Sequence, residues 1–219
     1  MKKINFIVLV LIFSGFALQG INAQGFTVKG GLTLAKMLEK DNDEDYSDMY
    51  DMNPGFHAGI SFAIPLTDFM VLEPGLMFTT KGMRLKEEEA GLELIVSGNL
   101  YYLDLPVNIK TFYDLGNGIK IFATAGPYAG MGISGKVKAT ARYQGEEESE
   151  EEEVSWGNDE ENDDLKRPDW GLSFGGGIEY NSIILGISYD LGLANISTYQ
   201  DDGYMSKNRV LKISVGYVF

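Results

Sequence analysis

The sequence predicts an all-β protein, an eight-stranded antiparallel up-and-down transmembrane β-barrel, and three observations carry that prediction. Apolar and polar residues alternate with period two over eight separate segments. The connections between the segments alternate long and short without exception. The polar faces hold a few ions among Gly, Ser, Thr and Ala, while aromatics gather at segment ends.

The first residues read as an address. Met1-Lys2-Lys3 is a basic head, Ile7 to Leu18 an apolar core, and Ile21-Asn22-Ala23 a small-residue cleavage site. This is the pattern of a secretory signal peptide over residues 1–23, cleaved after Ala23. The apolar run is too short to span a bilayer comfortably, and no basic stop-transfer cluster follows it. The domain then covers residues 24–219. No other segment holds 18 uninterrupted apolar residues, so any membrane crossing by this domain is made by strands.

In the first strand, 26–36, Phe26, Val28, Gly30, Leu32 and Leu34 share one face, and Thr27, Lys29, Gly31 and Thr33 the other. The second, 56–66, sets Phe56, Ala58, Ile60, Phe62, Ile64 and Leu66 against His57, Gly59, Ser61 and Ala63. The third, 72–81, opposes Leu72, Leu76 and Phe78 to Glu73, Gly75, Met77, Thr79 and Lys81. The fourth, 101–110, is the clearest, with Tyr101, Leu103, Leu105, Val107 and Ile109 opposite Tyr102, Asp104, Pro106, Asn108 and Lys110. Strands five to eight fall near 119–136, 170–180, 183–197 and 209–219. Each has the roughly nine to eleven residues, or somewhat more, that a tilted membrane strand needs.

Long connections are expected at 38–53, 84–98, 137–169 and 198–208, and short ones at Thr67-Asp68, Asp114 to Gly118 and Asn181-Ser182. In an up-and-down barrel every second connection falls on one rim, and outer-membrane barrels pair short periplasmic turns with longer external loops. Charge follows the same division. The four long connections hold 26 acids and 8 bases, whereas the rest of the chain after residue 23 holds 6 acids and 8 bases. The whole chain carries −14, and that acidity belongs to one rim. Its densest block, Glu146 to Asp164, repels itself and is expected to be disordered.

The faces separate a membrane barrel from a soluble one. Lys29, His57, Glu73, Lys81, Asp104, Lys110, Lys120, Glu179, Asp190 and Lys212 are too few for a solvated surface and about right for a filled lumen. Phe26, Phe112, Tyr113, Tyr180, Tyr217 and Phe219 near the turn rim, and Tyr101, Tyr102 and Trp170 near the loop rim, are placed like two interfacial girdles.

Composition removes several functions. The absence of cysteine excludes disulfides, thiolate metal sites and a cysteine nucleophile. The excess of 32 acids over 18 bases argues against nucleic acid as a partner. Asp41, Asp43 and Asp45 begin like a calcium loop, but Tyr46 stands where the glycine belongs and Met52 at the twelfth position, so an EF-hand is excluded. Weak divalent cations or surface partners at the acidic loops remain as expectations. Gly175-Gly176-Gly177 lies within a strand and is no phosphate loop. A catalytic role for the single histidine, His57, would recruit Ser61 and a carboxylate. The favoured reading is a histidine hydrogen-bonded in a packed lumen, so no catalytic residue, metal site or cofactor is expected.

Seven pieces in order resemble the PorT-type outer-membrane β-barrel family of Gram-negative bacteria. They are Pro54 to Ile60, Ile64 to Asp68, Leu72 to Leu76, Tyr102 to Pro106, Gly126-Pro127-Tyr128, Tyr189 to Ile196 and Val215 to Phe219. The resemblance implies an eight-stranded porin-family barrel in the bacterial outer membrane, surrounded by its lipids. The terminal Tyr217-x-Phe219 resembles the signal read by the barrel-assembly machinery. The length and acidity of the third long loop depart from the family pattern. The resulting expectation is a non-enzymatic barrel with a structural or surface-interaction role. A narrow porin-like channel and a soluble periplasmic lipocalin-like binding barrel are the alternatives.

Overall fold

The computed structural model describes residues 25–89 and 91–219, and the expected signal peptide, residues 1–23, lies outside the described residues. Among the described residues eleven strands form one antiparallel sheet. They are β1 (Phe26–Lys40), β2 (Tyr50–Asp51), β3 (Asn53–Phe62), β4 (Ile64–Thr67), β5 (Met70–Glu89), β6 (Leu92–Gly116), β7 (Ile119–Tyr143), β8 (Glu146–Glu153), β9 (Pro168–Tyr180), β10 (Ile183–Gly192) and β11 (Met205–Val218). Eight of them, β1, β3, β5, β6, β7, β9, β10 and β11, pair in chain order. The ring closes where β11 returns to β1, in register from Thr27 opposite Val218 to Lys40 opposite Met205. Closure satisfies the backbone of every ring strand on both sides, which is the condition for a sheet to sit in hydrocarbon.

Of the short connections, that expected over Asp114 to Gly118 is a tighter two-residue turn, Asn181-Ser182 turns as expected, and the one expected at Thr67-Asp68 falls one residue later, at Asp68-Phe69. Asn117 and Gly118 both take positive φ, +54° and +76°, the geometry of a two-residue hairpin turn whose twist matches the flanking strands. Asn181 does the same at +53° before Ser182. The short β4 carries the line of β3 onward along β5 with a register irregularity between Pro65 and Thr67.

Two of the four segments expected as long loops are largely strand. Residues 84–98 are the top of the β5–β6 hairpin, paired in register out to Glu89 opposite Leu92. In 137–169, β7 continues to Tyr143, turns at Gln144-Gly145 and returns as β8. The block expected to be disordered begins with that strand. Glu153, Glu151 and Glu147 lie opposite Lys136, Lys138 and Arg142, so cations on β7 offset the repulsion among the glutamates. Lys136 meets Glu151 at 2.5 Å, and Arg142 meets Glu147 at 2.8 Å and Glu93 at 3.3 Å. A membrane crossing takes about nine to eleven residues. The 25 residues each of β6 and β7 therefore carry a sheet of β5, β6, β7 and β8 well past it.

Large apolar side chains point outward from the ring, with Leu32 62%, Leu185 57% and Val215 56% exposed, while Lys81, Asp104 and His57 are buried inside. This is the reverse of a water-soluble barrel, and it decides which face of the alternation meets lipid. Two of the girdle aromatics are exceptions: Phe112 is in the lumen phase of β6 with Lys110, opposite Phe122 and with the Lys120 ammonium 5.5 Å from its ring, and Tyr102 is the other. It occupies the polar phase of β6 and is fully buried in the barrel mouth, not at the lipid interface.

Candidate functional site

The lumen is the site that the strand alternation builds, and it is filled at three levels. Nearest the short turns, Lys29 pairs with Glu73 at 3.0 Å, and Glu179 receives Lys110 at 3.1 Å and Lys120 at 3.6 Å. Asp190 pairs with Lys212 across neighbouring strands β10 and β11. His57 Nε2 and Ser214 Oγ lie 2.9 Å apart, while Ser61 Oγ donates to Glu73 Oε1 at 2.6 Å. The serine that a catalytic reading would assign to His57 is thus engaged by a different carboxylate. A cavity of about 80 Å³ remains among these groups, bordered by His57, Glu73, Asp190 and Lys212.

The middle level is a buried ion cluster centred on Lys81, whose side chain is 0% exposed. Its ammonium donates to Asp104 Oδ1 and to Asp169 Oδ2, both at 2.9 Å. Asp169 Oδ2 also accepts from Asn208 Nδ2 at 3.0 Å and from the Tyr128 hydroxyl at 3.3 Å. The rings of Tyr128 and Tyr102 lie 4.5 and 4.6 Å from the same ammonium. Gly130 makes the room. Its register neighbours are Asp104 and Asp169, and a Cβ there would lie 2.3 Å from Asp104 Oδ1.

Above the ions the mouth is closed by an apolar seal. Met37, Leu100, Tyr102, Ala194 and Ile196 form a buried cluster, and Val154, Trp156 and Leu165 from the connection after β8 pack onto it. Trp156 meets Tyr102 edge to face, with centroids 5.7 Å apart. Gly132 is its seat, since a Cβ at that position would lie 2.4 Å from the indole. The returning backbone is tied down by the Gly132 amide donating to Arg167 O at 2.8 Å and the Lys166 amide to Ile196 O at 2.7 Å. Arg167 adds a bond to Gly132 O at 2.9 Å. Within the segment expected as a solvated acidic loop, Val154, Trp156 and Leu165 therefore form a lid over the barrel mouth, while the acidic residues between them, Asp159 to Glu161 and Asp164, stay exposed.

The structure brings together the lumen ions expected from the sequence and adds one that the sequence reading left in a loop, Asp169. With it the lumen holds five lysines, 29, 81, 110, 120 and 212, against five carboxylates, 73, 104, 169, 179 and 190, and each is paired. Extending the alternation of 170–180 by a single residue would have placed Asp169 in phase with Gly171 and Ser173. Tyr217 and Phe219 sit outside the ring at the seam of β1 and β11, where Phe219 stacks on Phe26 at 4.6 Å and meets Tyr217 at 4.8 Å.

The rim chemistry differs from that of the lumen. In the first long connection, Asp41 Oδ1 accepts from the amides of Asp43 and Glu44 at 2.8 and 2.7 Å, and Oδ2 from the Tyr46 hydroxyl at 2.8 Å. The Glu44 amide, followed by Tyr46, holds the Asp41 carboxyl below its ordinary range. The same bond pushes the Tyr46 phenol up to about 12. Those oxygens serve the loop's own turn. Among the described residues no three carboxylates or histidines converge as a metal ligand set.

A closed ring of strands, ion-paired inside and apolar outside, defines a transmembrane β-barrel. The chain belongs to the outer membrane protein beta-barrel domain family, whose model matches residues 20–198, and its place is the bacterial outer membrane. Among solved structures it is similar to Ail, the attachment invasion locus protein of Yersinia pestis, at 15% identity and a TM-score of 0.39, covering 89% of this chain and 98% of that one. It is also similar to Neisserial surface protein A, at 14% identity and 0.45, covering 88% and 95%. A third is the outer membrane protease OmpT of Escherichia coli, at 11% and 0.42, covering 90% and 98%. No curated protein matches the sequence.

Proposed function

We propose that this protein is a closed, non-enzymatic barrel that holds an acidic sheet above the outer membrane as a surface for interaction with cationic partners. The observation that carries the reading is the full-length blockade of the lumen by paired ions and then by the Trp156 lid, beneath a rim where β5 to β8 extend past the bilayer. An eight-stranded barrel has interior room for its own side chains alone. A barrel whose lumen is spent on packing works through its ends. The lipid-facing belt argues against a soluble lipocalin-like binder, and the engagement of Ser61 by Glu73 argues against His57 catalysis.

In this reading the long connections face outward from the cell, the short turns face the periplasm, and residues 1–23 direct export. Tyr217 and Phe219 serve as the assembly signal, and the ordered motifs support a PorT-type barrel. Weak divalent cations join the diffuse counterions of the rim. Purified protein in planar bilayers is expected to give no stable conductance, and a large steady current would establish the channel reading instead. Replacing Glu146, Glu147, Glu148 and Glu150 to Glu153 by glutamine is expected to leave the heat-modifiable barrel band on gels while reducing capture of polylysine by the reconstituted protein. Unchanged capture would remove the interaction role from this sheet.

A further inference from the structure

A second cavity lies above the Trp156 seal, between β8 and the upper wall of the barrel, with a volume of about 280 Å³. Its walls are Met37, Met83, Leu100, Val137, Val154 and Leu165. It begins directly at the backbone of Gly98, where an added Cβ would find nothing nearer than Met83 Cγ at 3.7 Å and Val137 Cγ2 at 4.0 Å. Two of the walls are methionines, whose unbranched side chains adapt to the shape of an occupant.

The polar groups on this cavity are all of one sign. Glu39, Glu152, Glu153 and Asp164 border it, and no lysine or arginine does. Two of the four are already engaged. Glu39 accepts from Ser206 Oγ at 3.0 Å and from Tyr50, and Asp164 accepts from the Ser155 amide at 2.7 Å. Glu152 and Glu153 have no ion pair among the described residues, because Lys136, the register neighbour of Glu153, is taken by Glu151. Apolar walls offer nothing to a bare metal ion, and a carboxylate border repels fatty acids and other anionic amphiphiles.

We propose that this cavity binds amphiphilic monocations, with an alkyl chain against the Met37, Met83 and Leu100 wall and an ammonium head at Glu152, which shares the inward phase of the sheet with its register partner Val137. An apolar cavity of about 150 Å³ accepts a benzene molecule, so one of about 280 Å³ has room for a chain of roughly eight carbons. The surplus of acids over the long connections raises the local cation concentration and adds to the attraction. The proposal is independent of any macromolecular partner at the β8 surface.

The test is calorimetric titration of octyltrimethylammonium, kept below its aggregation threshold, into the protein in lipid nanodiscs, with empty nanodiscs as the blank. Saturable binding is expected, weakening about fourfold for each methylene removed from the chain and declining as salt rises. Octyl sulfate is expected to give no saturable heat. Gly98→Leu fills the cavity and is expected to weaken binding at least tenfold while the heat-modifiable band persists. The exposed variant Glu152→Gln is expected to weaken it about fivefold and to flatten the salt dependence. Equal binding of octyl sulfate, or wild-type affinity in a folded Gly98→Leu protein, would overturn the proposal. Should Gly98→Leu not fold, wild-type affinity in the Glu152→Gln variant would overturn it alone.

Discussion

The lower and upper halves of β6 are one continuous strand with one alternation, yet their faces are inverted. Below Tyr101 the outward residues are Leu103, Leu105, Val107 and Ile109, and the inward ones Tyr102, Asp104, Asn108 and Lys110. Above it the outward phase becomes Asn99, Ser97 and Glu93, and the inward phase Leu100, Val96 and Leu94. Ile95 is the one apolar residue of the outward phase there, and it is buried. β7 follows suit through a bulge. Its register shifts by one residue opposite Tyr101 and Tyr102, so that Lys136, Lys138 and Arg142 face outward above it. The strand is the same on both sides of this level, and the solvent is not. Hydrocarbon draws apolar side chains out and leaves ions to pair in the lumen, whereas water does the opposite.

Three substitutions probe that contrast, beginning with the largest effect. Lys81→Met leaves Asp104 and Asp169 buried without their shared cation. A loss of about 3–5 kcal/mol is expected, read as a lower urea midpoint for unfolding from lipid vesicles. Adding Asp104→Asn and Asp169→Asn is expected to recover most of it, and a single Lys81→Met variant as stable as wild type would show that the cluster does not hold the middle of the barrel. Trp156→Ala acts at the boundary between the two halves. It removes a partly buried indole from Tyr102, and a cost of about 2 kcal/mol is expected. The cost falls on the lid, so faster protease cleavage within 154–167 is the readout, with the barrel's own unfolding midpoint nearly unmoved.

The smallest effect is in the first long connection. The neutral Tyr46 phenol donates to Asp41, so this bond contributes fully below the ordinary tyrosine pKa and is lost as pH rises through about 12. Absorbance titration of the phenolate is expected to place Tyr46 there, and Asp41→Asn to return it toward 10. A wild-type Tyr46 that already titrates near 10 would break the assignment.

Much of this architecture was legible as alternation. All eight ring strands fall where period two puts them, and the turns at Asn117-Gly118 and Asn181-Ser182 where turn chemistry does, because each strand's face is set by its own residues; the turn expected at Thr67-Asp68 forms one residue later, at Asp68-Phe69. The ion list of the lumen was legible for the same reason, apart from Asp169. What escaped were features in which the pattern changes partner. Residues 84–98 and 137–143 continue the alternation with its polarity reversed, and a reading that expects apolar residues outward stops the strand at that reversal. The glutamate run of β8 carries no apolar phase at all. Only Lys136, Lys138 and Arg142 across the hairpin make it a strand. Trp156 looked like part of a solvated loop, because its seat at Gly132 and Tyr102 comes from other parts of the chain.

The sequence by itself determined that the domain is strand-built, that its strands number eight around the ring, and that its acidity is confined to alternate connections. Those properties are local, written in period, turn residues and charge along the chain. Tertiary structure decided which face meets lipid, which carboxylate shares Lys81, and that a connection folds back to seal the mouth. These depend on registers between strands far apart in sequence, since burial and ion pairing are settled by the groups that closure of the ring brings together.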